Sequence, residues 1–239
     1  MMRLDKMLAN LGYGSRKEVK SLIRKGHIRV NSTIIKKDDY RLEPDIDKVY
    51  IDDTLIVYKP LVYIMMNKPQ GVISATEDKV HKTVVDLIEG YDHYHVYPVG
   101  RLDKDTEGLM LLTNDGILAR ELLFPSKKAE KKYYARLKYD HGPNDEELFE
   151  KGITIDTGYR CQSARLAYLS KREAYVIITE GKFHQVKKMF EAVGNEVVYL
   201  KRLEMKGLIL DPQLKPGEYR ELTEEEMDIL HISQLHANL

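Results

Sequence analysis

The first 37 residues carry ten lysines and arginines against two acids, a net of +8, on a chain whose formal net charge is zero. The remainder must therefore sum to −8. A compact basic segment ahead of an acidic chain points to a polyanion-binding module joined to a second unit. The same charge also suits a merely solvated helix face, so it does not select nucleic acid by itself. At 239 residues the chain has room for one medium and one small domain. No stretch approaches the roughly 18 uninterrupted apolar residues of a membrane span. The opening Met1-Met2-Arg3-Leu4-Asp5-Lys6 lacks an apolar signal core, and a cytoplasmic location is expected. Cys161 is the only cysteine, so neither an internal disulfide nor a multi-cysteine metal cage can form; a small bystander side chain is expected there.

Within the basic segment, Leu4, Met7, Leu8 and Leu11 recur at helical spacing until Gly12-Tyr13-Gly14 breaks the pattern. Ser15-Arg16-Lys17-Glu18 reads as a capping box that opens a second helix with Val19, Leu22 and Ile23 on its buried stripe. Arg16, Lys20 and Arg24 project from another face, and Lys17 lies beside them. Gly26 sits at a C-cap position, and His27-Ile28-Arg29-Val30-Asn31 alternates like a strand into an Asn31-Ser32 turn. Two short helices followed by a hairpin, with cations along one helix, suit a phosphate backbone. This pattern, from Arg3-Leu4-Asp5-Lys6 to Asn31, resembles an S4-type RNA-binding domain, with Ser32 where that family has glycine. The resemblance implies structured RNA as partner without naming a reaction.

Residues 38–59 are acidic and broken by Pro44, with Pro60 just beyond, and read as the irregular end of the small domain and its linker. The domains are expected at 1–59 and 60–239. Strands are expected at 63–67, 109–113, 132–139, 164–169, 174–179 and 196–203, and helices at 83–89, 115–123, 144–150 and 184–193. Strands and helices do not alternate regularly. The expected class is therefore α+β, with a mostly antiparallel mixed sheet flanked by helices. The acidic stretch 223–228 reads as a solvated helix.

Chemistry concentrates in Pro98-Val99-Gly100-Arg101-Leu102-Asp103-Lys104-Asp105-Thr106-Glu107-Gly108, which runs into the apolar Leu109-Met110-Leu111-Leu112. Gly100 and Gly108 allow close approach of backbone or substrate. A carboxylate beside Arg101 and Lys104 stays ionised at neutral pH and can serve as nucleophile or base. Taken alone the stretch admits three readings. It suits a polar turn between strands. Asp103 and Asp105, with Asp115, suggest a site for a hard cation. Asp103-Lys104-Asp105-Thr106 fits an aspartyl phosphatase motif, although such a motif expects a strongly apolar strand just before its first aspartate.

The whole run from Gly100 to Gly116 resembles, without a gap, the catalytic motif of the RsuA/RluB group of pseudouridine synthases. Asn67-Lys68-Pro69-Gln70-Gly71, Glu130-Lys131-Lys132-Tyr133 and Glu180-Gly181-Lys182-Phe183-His184-Gln185-Val186-Lys187-Lys188-Met189-Phe190-Glu191-Ala192-Val193-Gly194-Asn195 resemble further motifs of that group, in order. The last is most like the RsuA branch. The resemblance implies isomerisation of a uridine of ribosomal RNA: the bond from ribose C1′ to uracil N1 is cut, the base turns, and it rejoins through C5. In that branch the conventional target is uridine 516 of 16S rRNA on an assembling 30S particle. The alternatives are the same chemistry on 23S rRNA and a non-catalytic RNA-binding assembly factor. The implied protein is a monomer without metal or other cofactor.

Residue by residue, Asp103 matches the catalytic aspartate and Tyr133 the active-site tyrosine. Lys182 matches the basic residue that pairs with that carboxylate, and a lysine there gives a point-charge pair rather than a bidentate one. Because the uridine must leave its stack, Arg101 is expected to fill the vacated place; a phosphate or carboxylate clamp is its alternative. Gln185 and Lys187 are expected at the RNA, Gln185 alternatively as a structural group, and His184 as a hydrogen-bonded strut. Arg16, Lys17, Lys20 and Arg24 are expected on phosphates, and Lys127, Lys128, Lys131 and Lys132 either extend that track or are solvated.

Overall fold

A computed structural model describes residues 1–44, 46–127, 129–156 and 158–237. Backbone contacts divide it into Met1–Val62 with Glu89–Val96, and Tyr63–Ile88 with Tyr97–Leu239.

The first unit holds β1 (Met2–Arg3), α1 (Leu4–Asn10), α2 (Arg16–Lys25), β2 (Ile28–Val30), β3 (Thr33–Ile34), β4 (Arg41–Leu42), β5 (Val49–Ile51) and β6 (Thr54–Ile56). The expected capping box is present: Ser15 Oγ accepts from Glu18 N at 3.3 Å, and the Glu18 carboxylate accepts from Ser15 N at 2.7 Å. Leu4, Met7 and Leu8 of α1 meet Val19 and Ile23 of α2 over Ile28, Val30, Leu42 and Val49. Asn31 takes the left-handed backbone of the hairpin turn at φ 54°, so Ser32 need not. Strands β3-β2-β5-β6 form an antiparallel sheet, and β1 pairs with β4. Residues 38–59 are thus the end of the small unit, as expected, but hold three short strands instead of running irregularly. Strands of two or three residues are too short for alternation to mark them, and Asp47 ties the intervening turn by accepting from Glu43 N and Asn31 Nδ2. The remote segment Glu89–Val96 completes this unit: Tyr94 packs on its core, and the His93 ring covers Gly12.

The second unit is built on a nine-stranded sheet. Its main path is β11 (Arg165–Ser170), β12 (Glu173–Ile178), β10 (Lys131–Leu137), β13 (Val197–Met205), β9 (Glu107–Thr113), β7 (Tyr63–Lys68) and β15 (Tyr219–Glu221). β8 (Tyr97–Pro98) pairs with β9, and β14 (Leu208–Ile209) with β13. Every pairing is antiparallel except β9 with β13. This is the expected α+β architecture. All six residues of β7 are buried, as befits an interior strand covered on both faces. The helices are α3 (Gly116–Leu123), α4 (Asp145–Lys151), α5 (Gln185–Ala192), α6 (Glu224–Ile229) and α7 (Ile232–Ala237). Phe149 of α4 and Phe190 of α5 pack with ring centroids 5.0 Å apart. The helix expected at 83–89 is a single 3-10 turn, Val85–Leu87, bracketed by Thr83–Asp86 hydrogen bonds and followed by Gly90 at φ 82°. The acidic stretch forms α6, opened by a Thr223–Glu226 capping box. No helix among the described residues is long and apolar enough to cross a membrane.

Candidate active site

Asp103 lies in the turn that leads into β9. Three groups hold this turn from its backbone side. Ser74 Oγ both accepts from Leu102 N and donates to Leu102 O at 2.9 Å. Gly71 N donates to Lys104 O at 2.8 Å. The fully buried Lys68 donates through Nζ to the carbonyls of Asp103 at 3.0 Å, Thr106 at 2.9 Å and Pro69 at 3.0 Å. Burial pulls the Lys68 ammonium down to about 8, against the opposing pull of Asp105, Asp103 and Glu107. In the sequence Lys68 belongs to a motif without an evident task; its signal is a lysine that closes a strand opened by an apolar run.

Where β9 leaves the turn, Gly108 lies against β13 across the parallel pairing. A β-carbon there would stand 2.2 Å from the carbonyl oxygen of Arg202, and φ is 106°. The close approach that its glycine suggested is therefore an approach of backbone to backbone.

The other wall comes from α5. Lys187, 16% exposed, places Nζ 3.4 Å from the Asp103 carboxylate and 2.6 Å from that of Asp105. Partial burial opposes ionisation of Asp105, but the Lys187 ammonium outweighs it and holds that carboxyl below its ordinary value. His184 Nε2 approaches Asp103 to 3.5 Å. Asp103 stays 25% exposed and lines an open cavity of about 420 Å³ with Gln70, Gly71, Lys104, Asp105 and His184. A solvent-reachable carboxylate held between two cationic or protonatable groups can act as a nucleophile or base.

The expected partner Lys182 is elsewhere: its Nζ lies 4.6 Å from the centre of the Tyr159 ring. The physical reason is the turn before α5. Gln185, buried, accepts from Lys182 N at 2.9 Å and donates to Glu180 at 2.7 Å, while Glu180 also accepts from Tyr159 Oη and Gln162 N. This network turns residue 182 toward Tyr159 and leaves the first turn of α5 to face the carboxylates. Gln185 is thus held in the turn by its own hydrogen bonds, and Lys187 is paired with Asp103 and Asp105.

Tyr133 is buried on β10, with Val176 and Arg202 beside it in register, and is not among the cavity-lining residues. Tyr134 turns the other way and donates to Glu173. Arg101 is exposed and has no ion pair among the described residues. The carboxylate cluster that a cation would need does not form. Asp115 instead caps α3 and accepts from Tyr63 Oη at 2.9 Å, with His236 Nε2 at 2.7 Å. Among the described residues no group of three or more His, Cys, Asp or Glu could hold a metal ion. Nor does Asp103 follow directly on a strand, as the phosphatase reading requires.

On α2, Arg16 and Lys17 are exposed, whereas Arg24 hydrogen-bonds Asp38 and Lys20 stands 3.9 Å from Asp5. The second lysine track is also largely used internally. Lys127 pairs with Glu121, Lys131 donates to Ala129 O, and Lys132 sits over the Tyr175 ring. Lys128 lies outside the described residues. Cys161 is buried, and that burial, with Glu180 adding to it, pushes its thiol up to about 11, as suits a bystander.

Residues 62–192 match the family described as RNA pseudouridylate synthase, and residues 2–45 match the S4 domain. The chain is 49% identical over 238 residues to an RNA pseudouridine synthase of Bacillus subtilis, YtzG, covering 98% of this chain and all of that protein. It is 37% identical over 227 residues to the Escherichia coli protein named ribosomal small subunit pseudouridine synthase A, covering 95% of this chain and 98% of the other. A crystal structure of a pseudouridylate synthase superposes with a TM-score of 0.68 at 33% identity, covering 96% of this chain and 100% of that one. By its catalytic-motif turn, its sheet and these likenesses, the chain belongs to the RNA pseudouridylate synthase family and carries an S4-like domain in front of the catalytic one.

Proposed function

We propose that the protein isomerises one uridine of 16S ribosomal RNA, the uridine conventionally numbered 516, and that it meets this uridine on an assembling small subunit. The observation that carries the reading is the Asp103 carboxylate, exposed to an open cavity between Lys187 and His184 on a turn tied down by Lys68 and Ser74. The name of the Escherichia coli relative supports the small-subunit target. Asp103 is the nucleophile toward a uridine turned out of its stack, and Lys187 takes the role of its cationic partner. Tyr133, buried on β10, is the active-site tyrosine that the motif assigns, and the exposed Arg101 fills the gap left in the RNA. The C1′–N1 bond breaks and a C1′–C5 bond forms; the C5 proton goes to solvent and N1 takes one up, so atoms balance without a second substrate. Arg16 and Lys17 supply the salt-sensitive hold on phosphate.

The test is tritium release from RNA labelled at uridine C5, run with EDTA on small- and large-subunit RNA, with Asp103→Asn beside the wild type. Release from small-subunit RNA by wild type alone is expected. Release only from large-subunit RNA would overturn the target, and release by the Asp103→Asn protein would overturn the nucleophile. No release from either RNA, even on partly assembled particles, would leave an RNA-binding assembly factor.

A further inference from the structure

Phe183 is 69% exposed, the side chain of a large apolar residue left in water one position from a residue that lines the cavity. Consecutive side chains usually splay apart. Here His184 adopts left-handed backbone at φ 53°, and the two rings lie stacked, centroids 3.8 Å apart and 20° from parallel. The imidazole edge reaches Asp103 at 3.5 Å. Lys188 Nζ stands 5.6 Å from the Phe183 ring centre and is itself fixed by Asp156 at 2.9 Å. The result is a flat aromatic ledge beside the cavity, with a cation next to it in Lys188.

We propose that Phe183 is a stacking platform for the nucleobase adjacent to the reacting uridine, and so a positioning residue for the RNA strand; this rests on the synthase reading above. The geometry separates this base from the reacting one. The reacting uracil must meet Asp103 inside the cavity, which His184 lines and Phe183 does not. A base on Phe183 is therefore held one ring farther out, beyond His184, where the strand enters or leaves. An exposed aromatic face beside a cation suits a base and its phosphate, because every base offers a π face and the backbone offers an anion.

The experiment uses the full chain with a synthetic fragment of small-subunit RNA containing the reacting uridine. Variants are Phe183→Ala, Phe183→Leu and Phe183→Trp, read by tritium release and by Kd from fluorescence anisotropy. Removal of one stacked base by alanine substitution predicts a loss of about ten- to hundredfold in KM and Kd. The kcat should stay within about threefold, since the ring does not touch the reacting group, and the melting temperature should not move, since the ring is exposed. Tryptophan should restore binding, and leucine, apolar but without a π face, should not. An abasic nucleotide beside the reacting uridine should cost the wild type as much as Phe183→Ala does and cost that variant nothing further. Leucine behaving like the wild type, or abasic and alanine losses that simply add, would overturn the ledge. Weakened binding by Phe183→Ala in a protein that releases no tritium would overturn the synthase reading and leave the ledge standing.

Discussion

Replacing Lys187 with methionine removes the cation shared by Asp103 and Asp105 and keeps the volume of the side chain. The lysine stands 3.4 Å from one carboxylate and 2.6 Å from the other, with little of it in water. Charge-assisted contacts in such settings contribute about 1.5–3 kcal/mol. If that interaction holds the nucleophile in its reactive orientation, its loss appears as about ten- to hundredfold in kcat, at 1.36 kcal/mol per tenfold. Lys187→Arg should recover part of it. Lys182→Met, which gives up only an exposed contact with Tyr159, should change kcat by less than about threefold. The assay is single-turnover tritium release at saturating enzyme, which separates chemistry from RNA binding, with circular dichroism confirming the fold. A larger loss in Lys182→Met than in Lys187→Met would refute the geometric assignment and restore the pairing that the motif alone suggested.

Gly108→Ala should lower the melting temperature by at least about 6 °C, because a methyl group would meet the Arg202 backbone at 2.2 Å in left-handed backbone, worth more than about 3 kcal/mol. Arg220 hydrogen-bonds the Glu226 carboxylate at 2.7 and 2.8 Å and, against the effect of burial, holds it below its ordinary value of 4.5. That stabilisation is complete above about pH 4.5 and is lost as pH falls through the lowered folded value. Thermal melts at pH 7 and pH 4 should therefore differ less in Arg220→Met than in the wild type. Asp115→Ala removes the cap of α3 and the shared acceptor of Tyr63 and His236, and should cost about 2–4 kcal/mol in urea unfolding. Arg16→Ala and Lys17→Ala should each lower the slope of log Kd against log salt by roughly one, and Arg24→Ala, already paired with Asp38, by less.

The long strands of the large unit were legible because each carries enough residues for an alternation or an unbroken apolar run, Ile64 to Met66 and Leu109 to Leu112 above all. The short strands β4 to β6 and the edge strand β15 were not. Two or three residues carry no period, and β15 is fixed by its partner β7 rather than by its own sequence. At the site, the position of Asp103 in the motif was readable and its neighbours were not. The motif contains three lysines, Lys182, Lys187 and Lys188, and which one faces the carboxylate depends on the buried Glu180–Gln185 link that turns the chain between them. Lys68 was hidden for a related reason: its partners are carbonyls, and carbonyls leave no trace in a sequence.

The segment Glu89–Val96 changes what it means to call this chain modular. The first unit is discontinuous, and the polypeptide passes from one unit to the other three times, at 62/63, 88/89 and 96/97. Cutting at residue 60 would not detach a tag; it would strand Tyr94 without the apolar bed it packs on and expose that face in whatever remained. A transplant of the RNA-binding half into another enzyme would have to carry two pieces of sequence, the second delivered from inside the recipient. Point changes at Arg16 and Lys17 are thus the cleaner way to silence that half.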